Sequence, residues 1–544
     1  MQNKRPLTLR AWNRLLLIGR GLRSDWNILQ TAWQVARHEP GESKEKPVVF
    51  FNASTRIFEN SLNAAYSLIA SWMIRLAGIP VIHFVCQRGM TNCVLGTKRN
   101  HPQKAMPCGG CIRRSKTNYY ASRVRGFGYQ NAPDLERELL GLTLDQLGVF
   151  SRPFPGISKP IPLGELVTPA LRWVLRRHNL EDNDTTRYLY RAFILSAWNI
   201  AREFFTMLVQ TEPRAVIVFN GQFFPEAAAG WVARNLGVRV VTHEIGLQPF
   251  TGFFTPGEAT AYPVHIPDTF RLTPEQNARL DAYLEERFQG QFSMAGIRFW
   301  PDIQGLDESF LQKAAQFDQI VPVFTNVIFD TSQPHANTVF PDMFAWLYVL
   351  VEIICRFPKT LFVIRAHPDE ARPGKESQES VQRWVDEHQV ADLPNVVFIP
   401  PDDYVSSYDL IRRSKFVMIY NSTIGLEASI LGIPVLSGGK ARFTQYPTVF
   451  FPQSVDEFKE MAEDFLMADS IGVPPEFKQN SRRFLYYQLF RVSLPFEAFL
   501  TTSFYASFTR LKGFAWKQLL PDESPTARVI LDGILSNGEF LLKE

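Results

Sequence analysis

With 544 residues, 45% of them hydrophobic and 21% charged, the chain has ample material for a folded core and is not a disordered polymer. Its formal charge of +4 is too mild to imply nucleic acid as a partner, though it suits an anionic small ligand or an acidic membrane surface. No uninterrupted run of about 18 apolar residues occurs, so a transmembrane helix is not expected, and the length predicts two large domains with appendages.

Residues 1–46 form a basic arm. Lys4 and Arg5 precede Leu15-Leu16-Leu17-Ile18, but Arg20 and Arg23 follow at once, and a secretory signal needs a longer apolar core. Residues 8–37 read as one or two basic amphipathic helices, either packed on a domain or making a peripheral membrane contact. A cytoplasmic location, at the inner face of the membrane if the arm touches it, follows as an expectation.

The pattern then turns to α/β. Val48-Val49-Phe50-Phe51 is a continuous apolar strand leading into Asn52-Ala53-Ser54-Thr55-Arg56, an apolar helix ends at Gly78 and Pro80, and residues 81–85 make a second strand. Such runs imply a parallel sheet covered on both faces. Residues 86–129 interrupt it with Cys86, Cys93, Cys108 and Cys111, spaced C-x6-C-x14-C-x2-C, then a basic and aromatic run. The Pro107-Cys108-Gly109-Gly110-Cys111 knuckle suits a structural zinc or iron–sulfur cluster; plain reduced cysteines and a redox pair are the other readings, and without a secretion signal stable disulfides are not expected. Further on, Ala215-Val216-Ile217-Val218-Phe219 runs into Asn220, and a helix closed by Gly237 precedes a strand ending at His243-Glu244. A carboxylate and an imidazole at a strand's carboxyl tip suit general acid–base work, or simply mark where the strand reaches water.

A second doubly wound pattern begins at Gln319. One strand runs into Arg365-Ala366-His367-Pro368; another, residues 416–420, runs into Asn421-Ser422-Thr423, with a helix ended by Gly432 and a strand after Pro434. Turns at the carboxyl ends of parallel strands face the ligand crevice, and the helix after Thr423 offers its N-terminus to a phosphate. Glu427, four residues beyond Thr423 on the same helix face, could accept from a ribose hydroxyl or simply favour the helix dipole. The expected organisation is a 47–300 lobe with a cysteine-rich insert at 86–129, a 301–470 lobe, and a helical tail over 471–544.

The Arg365-Ala366-His367-Pro368 segment, the Asn421-Ser422-Thr423-x-Gly425-x-Glu427 segment and the Pro434-Val435-x-x-Gly438-Gly439 ending together resemble the bacterial capsule polysaccharide biosynthesis proteins, glycosyltransferases of the two-lobed GT-B architecture. The resemblance is strong over 319–470 and weaker over 47–260. It implies two Rossmann-like lobes around a cleft, with a CMP-, CDP- or UDP-linked sugar donor on the C-terminal lobe. Donor phosphates would lie against His367, Ser422 and Thr423, with Arg365 adding charge, Asn421 and Gly439 completing the pocket, and Glu427 holding hydroxyls. A polysaccharide or glycolipid acceptor would lie near Asn52, Arg56, Asn220 and the tip, where Glu244 with His243 would serve as base if the reaction inverts. A sugar-nucleotide epimerase of similar build and a catalytically silent assembly protein are the competing expectations.

Overall fold

The computed structural model describes residues 7–41, 43–53, 59–289, 293–294, 297–298, 305–504 and 508–544. Lys4, Arg5 and Arg56 lie outside the described residues.

Two sheets organise the chain. The first has seven strands, in spatial order Leu494–Pro495, Thr251–Thr255, Arg239–Ile245, Ala215–Phe219, Val48–Asn52, Val81–Cys86 and Arg123–Phe127. The last five run parallel, while Thr251–Thr255 pairs antiparallel with Arg239–Ile245 and with Leu494–Pro495. Taken in chain order the parallel set reads 3-2-1-4-5, the doubly wound arrangement whose crevice opens where the order reverses. The second sheet repeats it with five parallel strands, Val396–Ile399, Thr360–Arg365, Gln319–Phe324, Val417–Ile419 and Val435–Ser437. The protein is therefore α/β, with two Rossmann-like lobes of GT-B type.

Apolar strands buried on both faces explain the parallel pairing: Val48 to Phe51 are each 3% exposed or less, and Val216, Ile217 and Val218 are equally enclosed. Helices cover them with conventional starts and stops. Ser61 caps Leu62–Leu76 by accepting the Ala64 amide, and Asp342 caps Met343–Arg356 by accepting those of Phe344 and Ala345. Gly78, Gly237 and Gly432 each take a positive φ just after a helix, the left-handed stop that glycine adopts without strain. Gly425 has a steric reason, since a Cβ there would sit 2.5 Å from Ile419 Cδ1.

Two segments depart from the sequence reading. Residues 86–129 are part of the lobe rather than an insert, because Cys108–Asn118 is the crossover helix and Arg123–Phe127 the edge strand. That strand exposes four of its five residues, so it carries no apolar run. The tail is not simply helical: after Pro475–Tyr486 it returns to the first lobe, adds Leu494–Pro495 to its sheet and packs Val529, Ile530 and Ile534 into the core around Trp72. Asp184–Thr211 is long and apolar enough to cross a membrane by length and composition, but most of it is buried, packed on Leu163–Leu175 and Phe224–Asn235.

The arm is a single helix, Leu7–His38, whose Ile28, Ala32 and Val35 join the first lobe's core. Leu22, Trp26 and Trp33 remain exposed. At 100° per residue these three share one face.

Candidate functional site

The carboxyl ends of the two sheets meet at a cleft of about 440 Å³. The first lobe lines it with Asn52, Asn63, Asn220, His243 and Glu244, and the second with Asp330, Thr331, Ser332, Arg372, Lys375 and Arg442. The 330–335 loop bridges the lobes: Asn220 Nδ2 approaches Thr331 Oγ1 at 3.5 Å, and His335 Nε2 lies 2.8 Å from Thr260 Oγ1.

Glu244 is the best-held group in the cleft. Its Oε1 accepts from Asn63 Nδ2 at 2.9 Å and from the Ile245 amide at 2.8 Å, and its Oε2 accepts from Asn220 Nδ2 at 2.8 Å. Burial pushes its carboxyl above the usual range, these three donors oppose the shift, and the Asp330 charge adds to it. The result is an oriented carboxylate that gains from taking up a proton.

His243 is more deeply buried than Glu244. It is 1% exposed and stacked on Phe254, and burial lowers its pKa to about 3, so it is neutral. Asn63 Oδ1, 3.2 Å from His243 Nδ1, can only accept, which places the imidazole proton on Nδ1. The two residues at the strand tip are thus joined through Asn63, and only Glu244 presents a basic group of useful strength.

Arg442 belongs to the second lobe but reaches across, its guanidinium 4.0 Å from the Tyr262 ring centroid. With Arg372 and Lys375 it gives the C-terminal wall a positive character. None of these three, nor Asn63, stood out in the sequence. The Asp330-Thr331-Ser332 loop offered the one usable signal, a polar cluster following the first strand of its sheet.

The donor residues expected from sequence lie along the carboxyl edge of the second sheet, outside the lining of this cleft. His367 accepts the Asp369 amide at Nδ1, 3.2 Å away, so its proton resides on Nε2; burial lowers its pKa and keeps it neutral. Asn421, Ser422 and Thr423 form the turn before Ile424–Ile430, and Thr423 makes no side-chain capping bond. Asn421 Oδ1 is enclosed without a hydrogen-bond partner. Between His367 and this turn lies the strand Gln319–Phe324.

Three other expected donor residues make contacts within the protein. Arg365 is 5% exposed and donates to the Val405 carbonyl. Glu427 is engaged within the protein: Oε1 accepts from Arg287 Nε at 2.7 Å and Oε2 from Tyr408 at 2.5 Å. Burial alone would disfavour the Arg287 charge, but the Glu427 carboxylate outweighs it and raises the guanidinium's pKa. Gly439 donates its amide to Tyr420, and a Cβ there would lie 3.0 Å from the same carbonyl.

The four cysteines are neighbours, since the charges of Cys86, Cys108 and Cys111 all act on the Cys93 thiol. Among the described residues no group of three or more histidines, cysteines or acids is arranged to hold a metal ion. Cys86 Sγ and Cys93 Sγ instead accept the amides of Gly89 and Gly96, each at 3.2 Å. Burial raises both thiols, Cys93 to about 12.

Comparison with curated proteins gives no match. Among solved structures, a beta Kdo 2,4 transferase, KpsC, from Thermosulfurimonas dismutans is similar at 12% identity and a TM-score of 0.33, covering 50% of this chain and 79% of that one. A UDP-GlcNAc 2-epimerase from Neisseria meningitidis bound to UDP-GlcNAc is similar at 13% identity and 0.25, covering 82% and 99%. Sucrose-phosphate synthase from Thermosynechococcus elongatus is similar at 12% and 0.28, covering 84% and 96%. Such scores leave activity open. Over residues 319–460, which hold His367 and the Asn421 turn, the chain matches the family described as capsule polysaccharide biosynthesis protein.

Proposed function

We propose that the protein is a glycosyltransferase that moves a sugar from a nucleotide-sugar donor to a growing surface polysaccharide or glycolipid acceptor, without a metal ion. One observation carries this reading: an oriented carboxylate, Glu244, faces a wall of cations, Arg372, Lys375 and Arg442, across one inter-lobe cleft. Inverting transfer needs both. Glu244 takes the proton of the attacking acceptor hydroxyl, helped by burial that makes it a stronger base than a free carboxylate. The cations stabilise the charge that develops on the departing phosphate.

Within this reading the His367 Nε2 proton and the Asn421-Ser422-Thr423 turn hold the donor's CMP, CDP or UDP portion, which the family match over the same lobe supports. Arg365, Glu427 and Gly439 keep that lobe in shape. The exposed Leu22, Trp26 and Trp33 give the arm a face for peripheral membrane contact, where a glycolipid acceptor would be met.

Glu244 and Asp330, two carboxylates facing one cleft, favour a second reading as an epimerase that abstracts and returns a sugar proton. A thermal-shift screen over CMP-, CDP-, UDP- and GDP-linked sugars tests the donor assignment. The right donor at 100 times its dissociation constant should stabilise the fold by about 2.7 kcal/mol, and less in His367→Ala. No stabilisation by any of them would remove the nucleotide-sugar assignment.

A further inference from the structure

The cleft has a second compartment. A cavity of about 360 Å³ is walled by Lys98, Arg99 and His101 from the first lobe's cysteine region, by Arg176 just beyond the helix Leu163–Leu175, and by Glu376 of the second lobe. Val94 and Trp173 line both this cavity and the main cleft. The lobes are tied together here, since the Arg176 carbonyl accepts the Gln378 amide at 2.8 Å.

The charges in this compartment do not balance. Arg176 lies over Trp173, 4.1 Å from its ring centroid, and its Nη1 is enclosed without a hydrogen-bond partner. Burial lowers its pKa to about 10, Arg99 pushes it the same way, and Glu376 opposes them. That carboxylate, the one acid in the lining, already accepts the Gly374 amide at 2.8 Å. A guanidinium nitrogen shut away from water with no acceptor is costly, and an oxyanion relieves it with charge-assisted hydrogen bonds.

We infer that this compartment is an anion subsite for the acceptor, which holds a carboxylate or phosphate of the acceptor between Arg176 and Arg99 while the reactive hydroxyl reaches Glu244 next door. The inference rests on the transferase reading and adds that the acceptor is acidic. A sugar carboxylate and a lipid-linked phosphate supply the same chemistry, so the test carries one arm for each.

Calorimetry on the full chain without donor compares tetragalacturonate, maltotetraose and short-chain phosphatidylglycerol at low ionic strength. At least one acidic probe should bind about tenfold or more tightly than maltotetraose, and which one does so identifies the source. Arg176→Gln should erase that preference. Because Arg176 is half-buried, the loop double variant Lys98→Ala/Arg99→Ala provides a second test, with UDP affinity as the control for an intact donor lobe. Equal affinity for all three probes, or a preference unchanged in both variants, would overturn the subsite. Failure of the transferase reading shows separately, as absence of sugar transfer by the unaltered protein.

Discussion

Asn63 donates to Glu244 Oε1 at 2.9 Å, and the same carboxamide's oxygen lies 3.2 Å from His243 Nδ1. One side chain thus orients the carboxylate proposed as base and fixes the tautomer of the adjacent imidazole. Removing the Asn63 donor, as in Asn63→Leu, takes away one of the bonds that favour the ionised form. The Glu244 pKa should then rise further. The acid limb of the kcat/KM profile should move to higher pH, with the plateau above it retained. An unmoved limb would separate Asn63 from the base.

The Glu427 pair gives a stability test. Arg287, Glu427 and Tyr408 form a buried cluster with side chains of the pair only 12% and 4% exposed. Breaking such a pair leaves an uncompensated charge, so Glu427→Leu should cost about 3–5 kcal/mol, and Arg287→Met/Glu427→Leu should recover most of it. Chemical denaturation measures both. If Glu427 served a ribose, the single variant would instead weaken nucleotide binding at unchanged stability.

Glu370 predicts a pH dependence. It is 3% exposed, both oxygens face the Val381 amide, and burial pushes its pKa up to about 8. A carboxyl whose folded pKa exceeds its unfolded value stabilises the fold at acid pH, and that contribution is lost as pH rises toward the folded pKa. Wild type should therefore lose stability between about pH 4.5 and 8 relative to Glu370→Gln. Parallel denaturation midpoints across that window would refute the assignment.

The cysteine region offers a chemical readout. Cys93, with its thiol raised to about 12, should alkylate far more slowly at pH 8 in the folded protein than after unfolding. Elemental analysis of the same preparation should find no stoichiometric zinc or iron, whereas one equivalent of either would make Cys86, Cys93, Cys108 and Cys111 its ligands.

Much of this architecture was readable from patterns of few residues. Continuous apolar strands, polar turns at their ends and glycine stops led to two doubly wound lobes and to the His243-Glu244 tip. What could not be read shares a cause, distance along the chain. Glu427 meets Arg287 across 140 residues and Asn63 meets Glu244 across 181, pairings that no local spacing encodes. The two-residue strand Leu494–Pro495 is too short to show alternation, and Arg123–Phe127 is disguised by its exposed edge.

The central claim is that Glu244 takes the proton of an acceptor hydroxyl while a nucleotide leaves from the opposite wall. The direct measurement is nucleotide release from the donor found by thermal shift, with and without acceptor saccharide, in wild type and Glu244→Gln. We expect acceptor-dependent release and a glycosylated product, with turnover lowered by ~10²-fold or more in the variant at unchanged donor affinity. Isomerised sugar nucleotide formed without acceptor, or a variant as fast as wild type, would contradict it.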